Sequence, residues 1–332
     1  MVDSKIMDKL YGGFSGLCLG NALGLPHEYK YGTSINEYTG ILQFPIQHQI
    51  RYYPVKYGVI GQISDDVTMV IATMRILCKY NNHTDIVENE LIRSYIEWAN
   101  SSDFNTDKYT NKLFKDIKTI AGYKSRKNRI NNTESNNSLV RAFSYLLCRW
   151  YFPGTYKNIS ILCTKLTHDT LINTEATRIY LEIVEGLLVN KKIDDILITL
   201  SSEDQQINTM LSQVVNSQQR NLHFTHPEWV ANTLYISIYM LKKANIGTFT
   251  FSQMIDYTLK YIGGDLRING AVVGSLLGIY YGYQNMTLDP ITRKNLEILF
   301  SADSSKGSLP YDAKYTPLVG MEIIGTIYQK FN

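Results

Sequence analysis

Ser64-Asp65-Asp66 and, much later, Gly263-Gly264-Asp265 each set carboxylates at the start of an apolar helical pattern. Brought together in a fold, ionised carboxylates repel one another, so a site that gathers several needs a cation. The oxygen donors on offer are Asp, Ser and Glu, with no His or Cys cluster nearby, which is the ligand set of a hard ion such as magnesium. The obstacle is Arg267, two positions after Asp265. Plain structural readings stand beside the chemical one. Ser64 suits a helix N-cap, and Asp65 and Asp66 suit the first turn, where each acid contributes about 0.3–1 kcal/mol against the helix dipole. Taken alone, Glu28 reads as a surface acid and Thr167-His168 as a helix-end pair.

The elements that must position these residues are helical. Apolar residues recur at three and four positions through Ile6, Leu10, Phe14 and Leu17, through Val70, Met74 and Leu77, through Ile179, Ile183 and Leu187, and through Leu234, Ile238 and Leu241. Alternating runs that argue for strands are few. Typical helix and loop lengths put on the order of a dozen or more helices in the chain. The expectation is an all-α, compact bundle of orthogonally packed helices. Two glycine ladders, Gly12, Gly16, Gly20, Gly24 and Gly270, Gly274, Gly278, Gly282, repeat at every fourth residue. Glycine inside a helix costs about 1 kcal/mol against alanine, so close backbone approach along one face is the compensating reason. Two such helices belong at the centre, with their end loops brought together. Residues 101–137 are polar and weakly periodic, and read as a long loop or surface subdomain within one domain spanning 1–332. Thr225-His226-Pro227-Glu228 has the order of a capping box, placing a helix start there.

Bulk properties exclude several classes. The chain has 332 residues, 44% hydrophobic and 19% charged, with a net charge of +3. That is a globular composition, without the basic stripe expected of a nucleic-acid binder. The basic run Lys124 to Arg129 lies in polar surroundings and reads as a solvated loop. No apolar run reaches the ~18 residues of a membrane helix, and the opening Met1 to Lys5 lacks the form of a signal peptide. Cys18, Cys78, Cys148 and Cys163 show no metal spacing and read as free thiols in a reducing, cytoplasmic setting. Richness in Asn, Ile, Lys and Tyr fits an AT-biased coding sequence, and for a virus the setting would be the host cytoplasm.

Taken in order, the motifs resemble those of the ADP-ribosylglycohydrolase family, which includes ADP-ribosylarginine and ADP-ribosylserine hydrolases, the dinitrogenase reductase-activating glycohydrolase and crystallin-like members. Gly16 to Glu28 is similar to the family's G-x-x-x-G-D-A-L-G-x-P-x-E, and Gly61 to Asp66 to its G-x-x-T-D-D. Tyr95-Ile96-Glu97-Trp98 resembles Y-x-x-W, Asn136 to Arg141 resembles N-G-x-x-M-R, and Thr167-His168 resembles T-H. Gly263 to Gly278 resembles G-G-D-x-D-T-x-A-x-x-x-G-A-x-x-G. Each motif alone is weak, but six in order are specific. The resemblance implies an all-α bundle of the ADP-ribosylglycohydrolase type holding magnesium over the ribose of ADP-ribose. It implies Ser64, Asp65, Asp66 and Asp265 as metal ligands, and Glu28 and Asp66 as catalytic acids. Ser135 and Asn136 fall on the loop that meets the substrate, and His168 on a substrate-contacting histidine. The implied partner is an ADP-ribosylated protein or a small ADP-ribose derivative.

The departures are Arg267 for a metal-binding Asp, Ile268 for a Thr, Asn137 for a Gly and Asn21 for an Asp. Two unit charges ~4 Å apart at an effective dielectric of ~20 interact by about 4 kcal/mol, and a divalent ion facing a guanidinium doubles that repulsion. Arginine does not lose its proton to escape. Arg267 therefore either turns to solvent or takes one metal position, paired with Asp265 and an Asp of the first motif. The expectation is one magnesium ion in place of two, or none. Three functions stay open: a magnesium-assisted ADP-ribosyl hydrolase with a degraded metal shell, a pseudoenzyme that binds ADP-ribose or a related nucleotide, and a structural crystallin-like relative.

Overall fold

A computed structural model describes residues 3–27, 40–42, 47–48, 56–80, 83–101, 108–216, 226–307 and 310–331. The described residues are helical nearly throughout, apart from a two-residue antiparallel ladder, Gln47–His48 with Lys56–Tyr57, and an isolated bridge between Ser135 and Trp229. The all-α expectation holds. Among these residues no helix is long and apolar enough to cross a membrane.

The centre is the pair of glycine helices, Ser4–Gly24 and Leu266–Tyr281. They run antiparallel, ladder against ladder. A Cβ built on Gly12, Gly16 or Gly20 would collide with the carbonyl oxygen of Gly278, Gly274 or Gly270, and one on Gly24 with that of Leu266. The reverse substitutions on Gly270, Gly274 and Gly278 meet Gly20, Gly16 and Gly12 in the same way. Backbone thus lies on backbone over the length of the seam, and both helices are buried along it. This offsets the helix propensity lost at each glycine. The antiparallel register also sets the end of the first helix, with Asn21, against the start of the second, with Arg267.

Helices Asp65–Lys79, Asn137–Leu146, Leu171–Leu188, Val230–Ile246 and Pro317–Phe331 pack around the seam and one another. Local capping defines many starts. Asp3 accepts from Ile6 N at 2.7 Å, Ser64 and Thr170 cap their helices, and Thr250 with Gln253 forms a capping box.

One polar stretch gains detail and one local reading changes. The polar stretch contains short helices, Lys108–Phe114 and Ile120–Lys127, tied by Phe114 stacked on Tyr123 with ring centroids 5.1 Å apart. The helix expected to start near Pro227 begins instead at Val230, after Trp229 in extended conformation. Residues 228–230 are drawn into the bridge to 134–136, where Asn136 N donates to Glu228 O and Val230 N to Glu134 O. That tertiary pairing overrides the local capping signal. Thr225 lies outside the described residues.

Candidate functional site

Gly61, at a φ of 83°, turns the chain into the Ser64 motif. Ser64 is extended, and its hydroxyl accepts from Asp66 N at 3.3 Å, capping helix Asp65–Lys79. Asn21 brackets Ser64 from the first glycine helix. Its Oδ1 accepts from Ser64 N at 2.7 Å, and its Nδ2 donates to Ser64 Oγ at 2.9 Å. The same Nδ2 reaches the Arg267 carbonyl at 3.3 Å. Asp65 and Asp66 occupy the first turn, as a capping reading requires, yet both are buried. Surface acids at a helix start would be solvated, so these need partners.

Arg267 supplies them. Gly263 and Gly264, at φ of 78° and 83°, turn the chain after a single π-helical stretch, Thr258–Ile262, so that Asp265 caps the second glycine helix by position. The Asp265 side chain makes no capping hydrogen bond. Arg267, in the first helical turn, is 4% exposed in its side chain. Its Nη1 donates to Asp65 Oδ1 at 3.1 Å and, over a shorter contact, to Asp66 Oδ2, and its Nε lies 3.9 Å from Asp265 Oδ1. A cation at a helix N-terminus opposes the dipole, and a buried cation is desolvated. Three surrounding carboxylates offset both costs. Of the two placements open to Arg267, the molecule adopts the paired one.

Asp66 accepts from three side chains. Besides Arg267, its Oδ2 accepts from Ser64 Oγ at 3.1 Å, and its Oδ1 accepts from Asn137 Nδ2 at 2.8 Å. Asn137, which stands where the family has a Gly, ties its loop to the acids. Ile268 is fully buried and brings no hydroxyl. The arrangement does not fit a metal beside Arg267. Ser64 and both oxygens of Asp66 hold hydrogen bonds inside the protein, and a divalent ion among these acids would face a guanidinium that cannot discharge. Among the described residues no group of three or more His, Cys, Asp or Glu is arranged to hold a metal ion.

A second polar layer continues from the acids. Asn136 Nδ2 donates to Thr233 Oγ1 at 3.0 Å, Thr233 Oγ1 donates to Asn269 Oδ1 at 2.8 Å, and Asn269 Nδ2 donates to Gly263 O at 3.1 Å. Asn136 Oδ1 is buried without a partner. Asn173 Nδ2 holds Ser135 O at 2.9 Å and Ser138 Oγ at 2.7 Å. Ser135 Oγ meets His168 Nε2 at 2.8 Å. Arg141 is buried against Thr167, with Nη1 on Asn137 O at 3.1 Å. His168 is fully buried, and its pKa is held well below the ordinary value by burial first and by the Arg141 charge second.

Ser64, Asp65, Asp66, Asp265, Arg267 and Ile268 thus converge where the two glycine helices meet helix Asp65–Lys79. Ser135, Asn136 and His168 gather in the adjoining layer, with His168 behind Ser135. Glu28 lies outside the described residues. Sequence reasoning did not single out Asn173, Thr233 or Asn269, and named Asn21, Asn137 and Arg141 only within the motifs, without a role. Their signal was faint: four-residue spacing of Asn137 and Arg141, and amides at apolar helix starts.

The family model described as ADP-ribosylglycohydrolase matches residues 3–297, and the chain belongs to that family. A solved structure titled "ADP-ribosylglycohydrolase-related protein complex" matches with a TM-score of 0.59 over 90% of this chain and 99% of that one, at 16% identity, a likeness of fold. No curated protein matches the sequence.

Proposed function

We propose that this hydrolase-family chain binds an ADP-ribosyl group between the acid cluster and Ser135, and that metal-assisted cleavage there is slow or lost. The observation that carries the reading is Arg267, buried among Asp65, Asp66 and Asp265. Cleavage of the bond from ADP-ribose to an acceptor builds oxocarbenium character at the ribose carbon, and a carboxylate must take a proton from water. Asp66 is poorly placed for that task while Arg267, Asn137 and Ser64 all donate to it. Glu28 is the other acid expected to serve. In the family the metal would orient ribose hydroxyls and water. Here the internal guanidinium meets the acids' charge in its place, and the polar layer of Ser135, Asn136 and Asn269 supports ligand binding.

Residual hydrolysis is the second reading. It is favoured by the retention of Ser64, Asp65, Asp66 and Asp265 in one place, which a purely structural relative does not require. The ligand would be an ADP-ribosylated protein or a small ADP-ribose derivative. The free thiols Cys18, Cys78, Cys148 and Cys163 support a reducing, cytoplasmic setting. The test is release of ADP-ribose from arginine- and serine-linked substrates, with magnesium and with a chelator, beside ADP-ribose binding by calorimetry. Binding that survives the chelator, without release, is expected. Chelator-sensitive release would overturn the proposal in favour of a working metal hydrolase, and absence of both binding and release would leave the structural relative.

A further inference from the structure

Ser135 Oγ, 2.8 Å from His168 Nε2, has the look of a nucleophile beside its base. The far side of the ring decides otherwise. His168 Nδ1 lies 2.8 Å from Thr167 Oγ1 and 3.4 Å from Arg141 Nη2. Arg141 Nη2 also donates to Thr167 Oγ1. A guanidinium nitrogen is a donor only. A proton on Nδ1 would therefore point toward a buried cation, and would push the Thr167 hydroxyl hydrogen onto the Thr164 carbonyl at 3.4 Å, a longer contact. With Nδ1 bare, Thr167 accepts from Arg141 and donates to the ring at 2.8 Å, so every group is used in its proper sense.

We infer that Arg141 and Thr167 fix the His168 proton on Nε2, so that His168 donates to Ser135 Oγ and the Ser135 hydroxyl hydrogen is offered outward to an acceptor oxygen of the ligand. Among the described residues His168 is the one hydrogen-bond partner of Ser135 Oγ, and Ser135 is half-buried where the ring behind it is fully buried. Ser135 is then a donor aimed at an oxygen-rich ligand and not a nucleophile, because its neighbour holds a proton where a base needs a lone pair. Burial and the Arg141 charge keep the ring neutral, in agreement with this geometry. His168, Thr167 and Arg141 are positioning residues, acting through Ser135. The ligand half of the inference rests on the proposed ADP-ribosyl site, while the tautomer half stands without it.

The tautomer is read in the full-length protein by long-range proton–nitrogen NMR correlations, with His168→Gln assigning the signal. A protonated Nε2 and bare Nδ1 at neutral pH are expected; a proton on Nδ1, or on both nitrogens, overturns the inference. The second arm is calorimetry with ADP-ribose. Ser135→Ala should weaken binding roughly tenfold, about one hydrogen bond to a charged or polar acceptor. His168→Leu should weaken it as much, the double variant should be no weaker than either single one, and His168→Gln, whose amide again donates to Ser135, should recover most of the loss. Ser135→Ala weakening binding while a folded His168→Leu binds like wild type would overturn the positioning role. Failure of the wild type to bind ADP-ribose would sink the proposed ligand site, and the NMR arm would still decide the tautomer.

Discussion

The glycine seam and the acid cluster meet at Asn21 and Arg267, yet they are built on opposite principles. Along the seam backbone meets backbone, and Gly12, Gly16, Gly20, Gly24, Gly270, Gly274 and Gly278 each face a carbonyl that leaves no room for a Cβ. At the cluster, side chains do everything: Arg267, Asn137 and Asn21 hold Asp65, Asp66 and Ser64 by hydrogen bonds and charge. The seam has no tolerance and fixes where Arg267 emerges. The cluster has chemical alternatives, because one side chain there can be exchanged without moving the helix that carries it. A rigid scaffold can therefore keep the family's fold while Arg267 meets the charge of Asp65, Asp66 and Asp265.

The largest expected effect breaks the seam. Gly20→Val sets side-chain atoms into the Gly270 carbonyl, where neither helix can yield. The cost should exceed the roughly 1–3 kcal/mol of ordinary overpacking and abolish cooperative unfolding in a urea titration. Gly122→Ala, in a short peripheral helix where the nearest atom is Thr119 Oγ1 at 3.2 Å, is the control and should stay within about 1 kcal/mol of wild type. A folded Gly20→Val protein would mean that the helices can separate and that the seam does not position the site.

Next in size is Arg267→Met, which strips the cation from three buried acids. Loss of one member of a buried ion cluster costs about 3–5 kcal/mol, measured by the same titration at neutral pH. A loss under about 1 kcal/mol would show that the acids do not depend on Arg267. Arg267→Asp with Ile268→Thr sharpens the comparison by adding an acid and a hydroxyl on an unchanged backbone. Its Tm should rise with magnesium where that of the wild type does not, since a ligand that binds only the folded state stabilises it. No rise would put Arg267 outside any metal position.

The two regions also differed in how far they could be read from residues alone. Glycines at every fourth position have one inexpensive explanation in a helix, so the seam was legible, and so was the Ser64 cap. Charge narrowed Arg267 to two placements, paired with Asp65, Asp66 and Asp265 or turned to solvent, but the choice between them was not legible. The amide contacts were not legible. Whether Asn137 donates to Asp66 depends on how two helices far apart in sequence approach and on the rotamer chosen there, and no local pattern encodes that. The helix start at Val230 was misplaced for a related reason, since the pairing of Ser135 with Trp229 is invisible to a capping rule. The short helices after residue 107 carry too few apolar residues for a clear period, and depend on contacts such as Phe114 on Tyr123.

Smaller effects separate the donors around Asp66. Asn137→Ala removes a 2.8 Å hydrogen bond to a carboxylate and should cost about 1.5–3 kcal/mol, the range for bonds to charged groups. If stability is unchanged, Arg267 and Ser64 suffice to hold Asp66.

The least of these effects lies in the second layer and is seen only as pH changes. His168 is neutral in the fold, its pKa well below 6.5 through burial and the Arg141 charge. In the unfolded chain the ring takes a proton as pH falls through its ordinary value near 6.5. Below that pH the unfolded state binds more protons than the folded one, so stability rises with pH and falls on acidification. From this one group the slope approaches about 1.4 kcal/mol per pH unit between the two pKa values. His168→Gln should flatten the stability profile by nearly that amount from about one pH unit below 6.5 and leave the slope well above 6.5 unchanged. An unaltered slope would mean that the ring is protonated in the fold, beside Arg141, and that the second layer tolerates charge as the acid cluster does.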